Sequence, residues 1–467
     1  MTRYRSGIRP KRAIMSVTEE LSQLISQAKF HSLPPEVVEV AKTVILDGLA
    51  VTLAGSVEPA ARIVGEYVQE MGGNNQCSVF GQGFKTSPVM AAFANGVAGH
   101  VLDYEVMWHP ATHATSPTLP GILALAESRQ QAGPEIITAL VIAFEVQGRI
   151  RVASADLDLH GFHPPGLVGV MGSAAAASVM LGLSVQQTRM ALGIAASRAG
   201  TVSANTGTMT KSTHCGNAGR MGLEAALLAA RDFTGHPDIF EHPAGYVGVL
   251  FGEGFDLEAV TRNFGNPYRM VDPGIAIKKH PSQFGTHRGI DAALELRHAH
   301  NIDPARIGAV HIEVPTMRYV DRAAPQTGLE GKFSFQYTVA SALLDGRITM
   351  DTFTDQQVRR PEIKVLLDRT RVTMDPAIPA NFNDMWTTVS VHMQDGTEYS
   401  VRCEKPRGIW GNPLTREEHL VKVRACASRV LTDADVEAMI EIVEDLDQGT
   451  SQDVQELVEI LRRWPER

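Results

Sequence analysis

The sequence predicts a mainly α-helical protein, with a large all-α domain and a smaller α+β lid domain. From about residue 15 to residue 270, apolar residues recur at helical spacing. After Gly274 the pattern changes to strand-like alternation, and from Arg416 onward it returns to helix. Because 467 residues exceed what one hydrophobic core usually supports, we predict a helical domain over 15–272 plus 405–467 and a lid domain over 273–404.

Start and stop signals define the helices of the larger domain. Pro34-Pro35 opens a segment with apolar residues at steps of three and four, and Gly55 is expected to close it in the left-handed conformation. Ser87-Pro88 begins another helix, which ends at Asp103. Further segments are almost wholly apolar and Ala-rich, as buried helices are, and they cover 172–183, 184–199 and 216–233. Their apolar surface predicts a homodimer.

The smaller domain combines strands and helices. Residues 309–314 alternate as a strand, and 387–393 are predicted to pair with 397–403 across the Asp395-Gly396 turn. Helical patterns cover 282–298 and 333–344. The tail from Arg416 is expected to pack back on the helical domain. The sequence shows no internal repeat, and we expect no apolar run of transmembrane length.

Composition argues against several classes of partner. The net charge is −9 and aromatic residues make up 6%, which does not favour nucleic acid binding. The basic residues between Arg3 and Arg12 precede no apolar stretch of signal-peptide length, so we interpret them as a tail. Four widely spaced cysteines form no pairing or zinc pattern, which predicts a reducing, cytoplasmic location. The cysteines are Cys77, Cys215, Cys403 and Cys426.

Acid–base side chains are concentrated between residues 103 and 113. The run Asp103-Tyr104-Glu105-Val106-Met107-Trp108-His109-Pro110-Ala111-Thr112-His113 follows an apolar helix and precedes an apolar segment. Such groups are costly to desolvate without partners, so the run predicts a half-buried polar pocket. His109 and His113 have the spacing of paired helical metal ligands, but Pro110 interrupts the helix and no third ligand follows. We therefore expect no metal.

Two further segments carry groups suited to an anionic substrate. His163 precedes Pro164-Pro165 at a predicted helix N-terminus, where free N–H groups attract anions. Lys211 and His214 are predicted in a polar loop before a buried helix. The lysine is expected to neutralise a substrate carboxylate or, if desolvated, to act as a base or Schiff-base former. The segment 278–288 gathers more positive charge. Structural alternatives are a helix-capping histidine and a solvated loop lysine.

Nothing in the sequence predicts a nucleotide or redox cofactor. The run Gly81-Gln82-Gly83-Phe84-Lys85-Thr86 lacks the Gly-Lys-Thr of a phosphate-binding loop. Gly169 and Gly172 do not complete a dinucleotide fingerprint. We therefore expect cofactor-free chemistry.

Taken in order, several segments resemble the MmgE/PrpD family over residues 17–445. They are Ile45-Leu46-Asp47-Gly48-Leu49-Ala50, Asp103, the run 108–113, Glu145-Val146-Gln147-Gly148-Arg149, Phe162-His163-Pro164-Pro165, Thr210-Lys211, Gly216-Asn217-Ala218 and Phe333-Ser334-Phe335-Gln336-Tyr337. The resemblance implies a helical domain with a lid, a homodimer, and cofactor-free lyase chemistry on a small di- or tricarboxylic acid. Within the family the pattern is most similar to the cis-aconitate decarboxylases.

The resemblance also implies site residues. The matching positions are Asp103, His113, His163, Lys211 and Tyr319. Two positions depart, because Met107 replaces a threonine and Gln283 replaces a histidine, while His287 matches a second histidine of that motif. We therefore assign catalysis to His113, Asp103, Lys211 and His163, and substrate binding to Met107, Gln283, His287, Tyr319 and His214.

The expected roles follow from the chemistry of these groups. Lys211 and His163 would hold substrate carboxylates, and His113, oriented by Asp103, would transfer a proton. Decarboxylation, dehydration as in 2-methylcitrate dehydratase, and epimerisation remain open, since the sequence does not fix which atom is protonated. The alternative from another class is a non-catalytic carboxylate-binding protein.

Overall fold

A computed structural model describes residues 15–155, 157, 159 and 161–464. The basic stretch before Met15 lies outside these residues. More than half of the chain is helical, which confirms the mainly α prediction. The first half contains α1 Val17–Ser26, α2 Pro35–Ser56, α3 Pro59–Met71, α4 Pro88–Val101, α5 Leu119–Arg129, α6 Gly133–Ala153, α7 Pro164–Leu181, α8 Val185–Ala196, α9 Thr210–Ala229 and α10 Tyr246–Leu250. Strands β1 Cys77–Ser78 and β2 Lys85–Thr86 form an antiparallel pair.

The larger hydrophobic core is built from these helices and from the tail. Helix α7 packs against α6 and α9, and α9 packs against α4. The tail helices α16 Arg416–Ala427, α17 Asp433–Glu444 and α18 Ser451–Arg462 bury Val423, Ile440 and Leu457 in the same core. The tail therefore returns to the first half of the chain, as the apolar pattern predicts.

Helix α7 corrects one expectation, because it is long and apolar enough to cross a membrane. Of its 18 residues, 83% are buried inside the protein. Helices α6 and α9 pack against it, as expected for the core helix of a compact domain.

Gly55 is also placed differently from the prediction. It lies inside α2, and the residue that ends the helix, Val57, has right-handed geometry. A Cβ atom on Gly55 would lie 2.0 Å from the carbonyl oxygen of Ala98. The glycine therefore allows close packing of α2 on α4, and it does not terminate the helix.

A second, smaller core surrounds a four-stranded sheet. Its elements are α11 His287–His300, β3 Ile307–Val314, α12 Gly328–Gly331, α13 Phe335–Asp345, α14 Asp355–Arg359, α15 Pro361–Asp368, β4 Thr370–Met374, β5 Thr387–Met393 and β6 Glu398–Cys403. The strand order is β4-β3-β5-β6. Strand β3 pairs in parallel with β4 and antiparallel with β5, and β5–β6 is the predicted hairpin. Helices α11 and α13 pack together beside the sheet.

Hydrogen bonds attach the polar segment 103–113 to both parts of the chain. Met107 and Ala276 exchange N–H to carbonyl bonds of 2.9 and 2.7 Å, which form an isolated antiparallel bridge. The Tyr104 hydroxyl donates to the Lys279 carbonyl at 2.9 Å, and Lys422 of α16 donates to the Tyr104 carbonyl at 2.9 Å. The polar segment 103–113 is therefore held from both cores.

Candidate active site

The polar segment begins with a buried carboxylate between two ammonium groups. Helix α4 ends at Val101, and Asp103 adopts a left-handed backbone with φ of +52°. Lys211 Nζ donates to Asp103 Oδ2 at 2.9 Å, and Lys278 Nζ donates to Oδ1 at 2.5 Å and to the Asp103 carbonyl at 2.6 Å. Aspartate tolerates the left-handed region better than most residues. This backbone conformation directs the carbonyl oxygen and Oδ1 of Asp103 toward Lys278.

The two lysines differ in the donors that remain for a ligand. Lys278 uses two donors on Asp103 and approaches the Ser282 carbonyl at 3.4 Å with the third. The Lys211 side chain makes one hydrogen bond among the described residues, to Asp103, and it lines a cavity. Burial alone would raise the pKa of Asp103, but the two ammonium groups hold it well below its ordinary value. Asp103 is therefore ionised, and Lys211 keeps donors for a substrate.

A second carboxylate lies beside His113. Glu105 Oε1 lies 3.2 Å from His113 Nδ1 and 2.7 Å from His100 Nδ1, while Asp103 Oδ1 lies 3.5 Å from His113 Nε2. Burial would raise the pKa of Glu105, but the two imidazoles hold it well below its ordinary value. The structure therefore departs from the expectation that Asp103 orients His113, because Glu105 makes the shorter contact and Asp103 is engaged by lysines.

His163 occupies the predicted position at the start of α7. It is the N-cap residue, but its side chain caps no backbone N–H, and its Nδ1 lies 3.1 Å from Nδ1 of His214. Burial, reinforced by the charge of Lys211, lowers the pKa of His163 well below its ordinary value. Burial also lowers the pKa of His113, and it lowers that of His214 to about 4. The imidazoles are therefore neutral near pH 7.

These side chains surround a cavity of about 360 Å³, within the range of small-molecule sites. Its polar wall includes Asp103, His113, His163, Lys211 and Lys278. Its apolar wall is formed by Met107, Pro164, Pro165, Phe284, Phe333 and Phe382. The cavity thus combines cationic and imidazole groups with a hydrocarbon surface.

The structure brings most of the sequence-predicted residues to this cavity, but not all of them. Met107, Gln283 and Tyr319 line it, and Gln283 Nε2 donates to the Tyr319 hydroxyl at 2.8 Å. His214 lies behind His163, outside the lining. His287 is fully buried against Phe284, and neither ring nitrogen has a hydrogen-bond partner among the described residues. Lys211 and His214 lie in the first turns of α9, which begins at Thr210, and not in a loop.

The assignment from the sequence does not include three residues of the site. Glu105 stands two positions after Asp103, yet the sequence gives no reason to prefer one carboxylate over the other. His100 lies on α4, three residues before Asp103, but Asp103 lies beyond the end of that helix with a left-handed backbone, so helical spacing gives no signal for His100. Lys278 belongs to the predicted basic segment, but only the tertiary fold brings it to Asp103.

One group of described residues has metal-ligand geometry. Single ligand atoms of His100, Glu105 and His113 all lie within 4.8 Å of one another, and this group shares His113, but not His109, with the pair considered from the sequence. Glu105 Oε1, however, already lies at hydrogen-bond distance from His100 Nδ1 and from the Ser116 hydroxyl, each at 2.7 Å. A metal ion would have to displace these contacts, so the arrangement fits hydrogen bonding better.

Comparison with known proteins agrees with the resemblance. Residues 19–258 match the MmgE/PrpD N-terminal domain, and residues 280–448 match the MmgE/PrpD C-terminal domain. The chain is 36% identical to cis-aconitate decarboxylase of Mus musculus, over 93% of this chain and 91% of the relative. It is 34% identical to the Homo sapiens enzyme of that name, over 93% and 92%. It is 28% identical to 2-methylcitrate dehydratase of Escherichia coli (strain K12), over 78% and 80%. The chain belongs to the MmgE/PrpD family.

Proposed function

We propose that this protein is a cofactor-free lyase that decarboxylates a small tricarboxylic acid of the cis-aconitate type. The observation that carries the proposal is the convergence of His113, His163 and Lys211 on one cavity beside the ionised Asp103. The relatives named cis-aconitate decarboxylase, which align with over nine-tenths of the chain, support this choice of substrate.

The charges of the site suit a polyanion. Asp103 pairs with the ammonium groups of Lys211 and Lys278, and Glu105 adds a second negative charge beside His113, so two positive and two negative charges nearly cancel. The neutral imidazoles of His113 and His163 supply the remaining capacity for positive charge. A negative substrate raises the pKa of a nearby imidazole. Substrate binding therefore promotes protonation of His163, which is to bind a carboxylate, and of His113, which is to donate a proton.

In the proposed reaction, Lys211 and His163 hold substrate carboxylates and His113 supplies a proton. The bond between the leaving carboxylate and its carbon breaks, carbon dioxide departs, and the electron pair stays on the substrate. The proton of the His113 imidazolium then completes a new C–H bond. Glu105 lies at Nδ1 and stabilises the imidazolium, while the apolar wall limits the access of water.

Dehydration is the second candidate, because two lining side chains depart from the decarboxylase pattern. Met107 and Gln283 line the cavity at the positions where the sequence departs from the decarboxylase pattern. The Escherichia coli relative named 2-methylcitrate dehydratase belongs to the same family. In a dehydration, one group removes a proton from carbon and another protonates the departing hydroxyl, and two neighbouring imidazoles can divide these tasks.

A substrate screen followed by NMR distinguishes these activities. The purified protein is incubated with cis-aconitate, 2-methylcitrate and citrate, and products are identified from their proton spectra. Loss of carbon dioxide from cis-aconitate supports the proposal, and loss of water from 2-methylcitrate supports the second candidate. Saturable binding of these acids without any turnover would identify a carboxylate-binding protein and contradict both.

We further propose that residues 273–404 act as a lid over the cavity. Gln283, Phe284, Tyr319 and Phe382 of this segment form one wall, and the residues of the opposite wall belong to the helical part. If the lid closes on substrate, hydrogen exchange in this segment should slow when cis-aconitate binds. Unchanged exchange at saturation would contradict closure.

The homodimer and the cytoplasmic location also remain proposals. The apolar helices that suggested a dimer pack within one chain, so support comes from α3, where Ile63, Tyr67 and Met71 share one exposed face. A monomer mass by light scattering at micromolar concentration would contradict the dimer.

The support for a cytoplasmic location is that the four cysteines are unpaired, as in reducing compartments. Cell fractionation tests the location.

A further inference from the structure

One carboxylate oxygen beside the cavity is shared by three neighbouring groups. Glu105 Oε1 accepts a hydrogen bond from the Ser116 hydroxyl at 2.7 Å and lies 2.7 Å from His100 Nδ1. His113 Nδ1 lies farther from the same oxygen, at 3.2 Å. All four side chains are buried, so water does not relieve the competition.

The competition leaves His113 with the weakest of the three contacts. A carboxylate oxygen accepts hydrogen bonds mainly along its lone-pair directions, and two short donors already use this capacity. The contact of His113 Nδ1 meets the distance for an ion pair, but this nitrogen has no hydrogen-bond partner of adequate geometry. Glu105 therefore holds His113 less firmly than an uncontested carboxylate would.

We propose that His100 is a positioning residue that weakens the interaction of Glu105 with the His113 imidazole, so that His113 can release its proton. This inference rests on the proposed function of His113 in proton transfer. An imidazolium held by an unshared buried carboxylate keeps its proton strongly. By engaging the same oxygen, His100 keeps His113 closer to the proton affinity that transfer near neutral pH requires.

Among the described residues, the other charged groups around His113 make no hydrogen bond to the His100 side chain. Asp103 Oδ1 faces Nε2 at 3.5 Å, and Lys278 and Lys211 lie beyond that carboxylate. The ring of His163, from α7, is 6.5 Å from the ring of His113. Burial, with the charge of Lys211, lowers the pKa of His100 itself to about 4. Replacing this neutral ring therefore removes a hydrogen-bond donor and no charge.

The test compares variants that keep or remove the donor. His100→Phe keeps a flat ring without a donor, and His100→Asn keeps a donor amide. The assay uses the substrate that the wild type turns over. We expect His100→Phe to move the His113-dependent limb of the kcat–pH profile upward by about one pH unit, because the free energy of one hydrogen bond to a charged group corresponds to a pKa shift of about that size. KM should stay within about twofold, and His100→Asn should restore most of the wild-type profile.

Ser116→Ala provides a second variant, because it removes the other donor to the same oxygen and should move the profile in the same direction. His280→Asn is the matched control. His280 is also buried and its Nε2 lies 2.8 Å from Asp291, but it does not line the cavity. Its profile should equal that of the wild type. A fall in kcat without movement of the profile in His100→Phe and Ser116→Ala would show a merely structural role and overturn the inference.

A second measurement needs no turnover. In enzyme with ¹⁵N-labelled histidine and no substrate, the titration midpoint of the His113 ring should rise in His100→Phe relative to the wild type. An unchanged midpoint in the folded variant would overturn the inference. If the wild type turns over none of the screened acids, the proposed function fails, while this titration still decides whether His100 controls the proton of His113.

Discussion

Replacement of Lys211 by alanine is expected to weaken substrate binding and to leave the chemical step nearly intact. Lys211 Nζ has one hydrogen bond, to Asp103, and otherwise faces the cavity. Its charge is present in both the ground state and the transition state, so its loss affects both states alike. Asp103 keeps two hydrogen bonds from Lys278 in the variant, so the buried carboxylate remains partnered.

The magnitude follows from the single contact that substrate would lose. A hydrogen bond between charged groups contributes about 1.5–3 kcal/mol. Since about 1.4 kcal/mol corresponds to a factor of ten, KM should rise about 10- to 150-fold. The change in kcat should stay within about threefold, provided that substrate release is fast relative to chemistry.

Initial rates measured over a wide range of substrate concentration separate the two constants. Lys279→Ala is the matched control, because Lys279 is the exposed neighbour of Lys278 and does not line the cavity. Lys211→Arg keeps the charge and should recover part of the affinity. An unchanged KM in Lys211→Ala, with the fold intact by circular dichroism, would refute the binding role of this lysine.

Three further predictions concern stability and metals. Burial lowers the pKa of His163 well below its ordinary value, so the unfolded chain binds protons first as the pH falls through about 6.5. The free energy of unfolding should therefore fall from pH 7 to pH 5 in urea titrations, and less steeply in His163→Gln; an equal slope would contradict this. Gly55→Ala should lower that free energy by about 1–3 kcal/mol because its Cβ would meet the Ala98 carbonyl, whereas Gly121→Ala, with room for a Cβ, should not. Dialysis against a chelator should leave activity unchanged, and restoration of lost activity by zinc would contradict the acid–base assignment.

The sequence predicts those parts of the site that are local along the chain. Helix α4 delivers Asp103 and the polar segment because Ser87-Pro88 and the apolar stripe define that helix. His163 stands at a helix start because two prolines follow it. The roles of Glu105 and Lys278 cannot be predicted from the neighbouring sequence. They depend on the tertiary fold, which brings His100 to Glu105 Oε1 and Asp103 to Lys278 Nζ.

The errors in the predicted elements have similar causes. The first turn of α9, with Thr210, Ser212 and Thr213, has low helix propensity, and packing of α9 against α4 and α7 compensates for it. Strand β4 is missing from the prediction because it is a five-residue edge strand with few apolar residues. Glycine is the residue type expected just after a helix end, but Gly55 lies inside α2, where the close approach of the Ala98 carbonyl leaves no room for a Cβ atom.

The most direct test of the account is kcat of His113→Ala on the acid that the screen identifies. If His113 transfers the proton, kcat should fall by about 100-fold or more, with KM and the unfolding midpoint close to wild type. If a folded His113→Ala protein turns over within a few-fold of wild type, the imidazole is structural and the proposed mechanism is wrong.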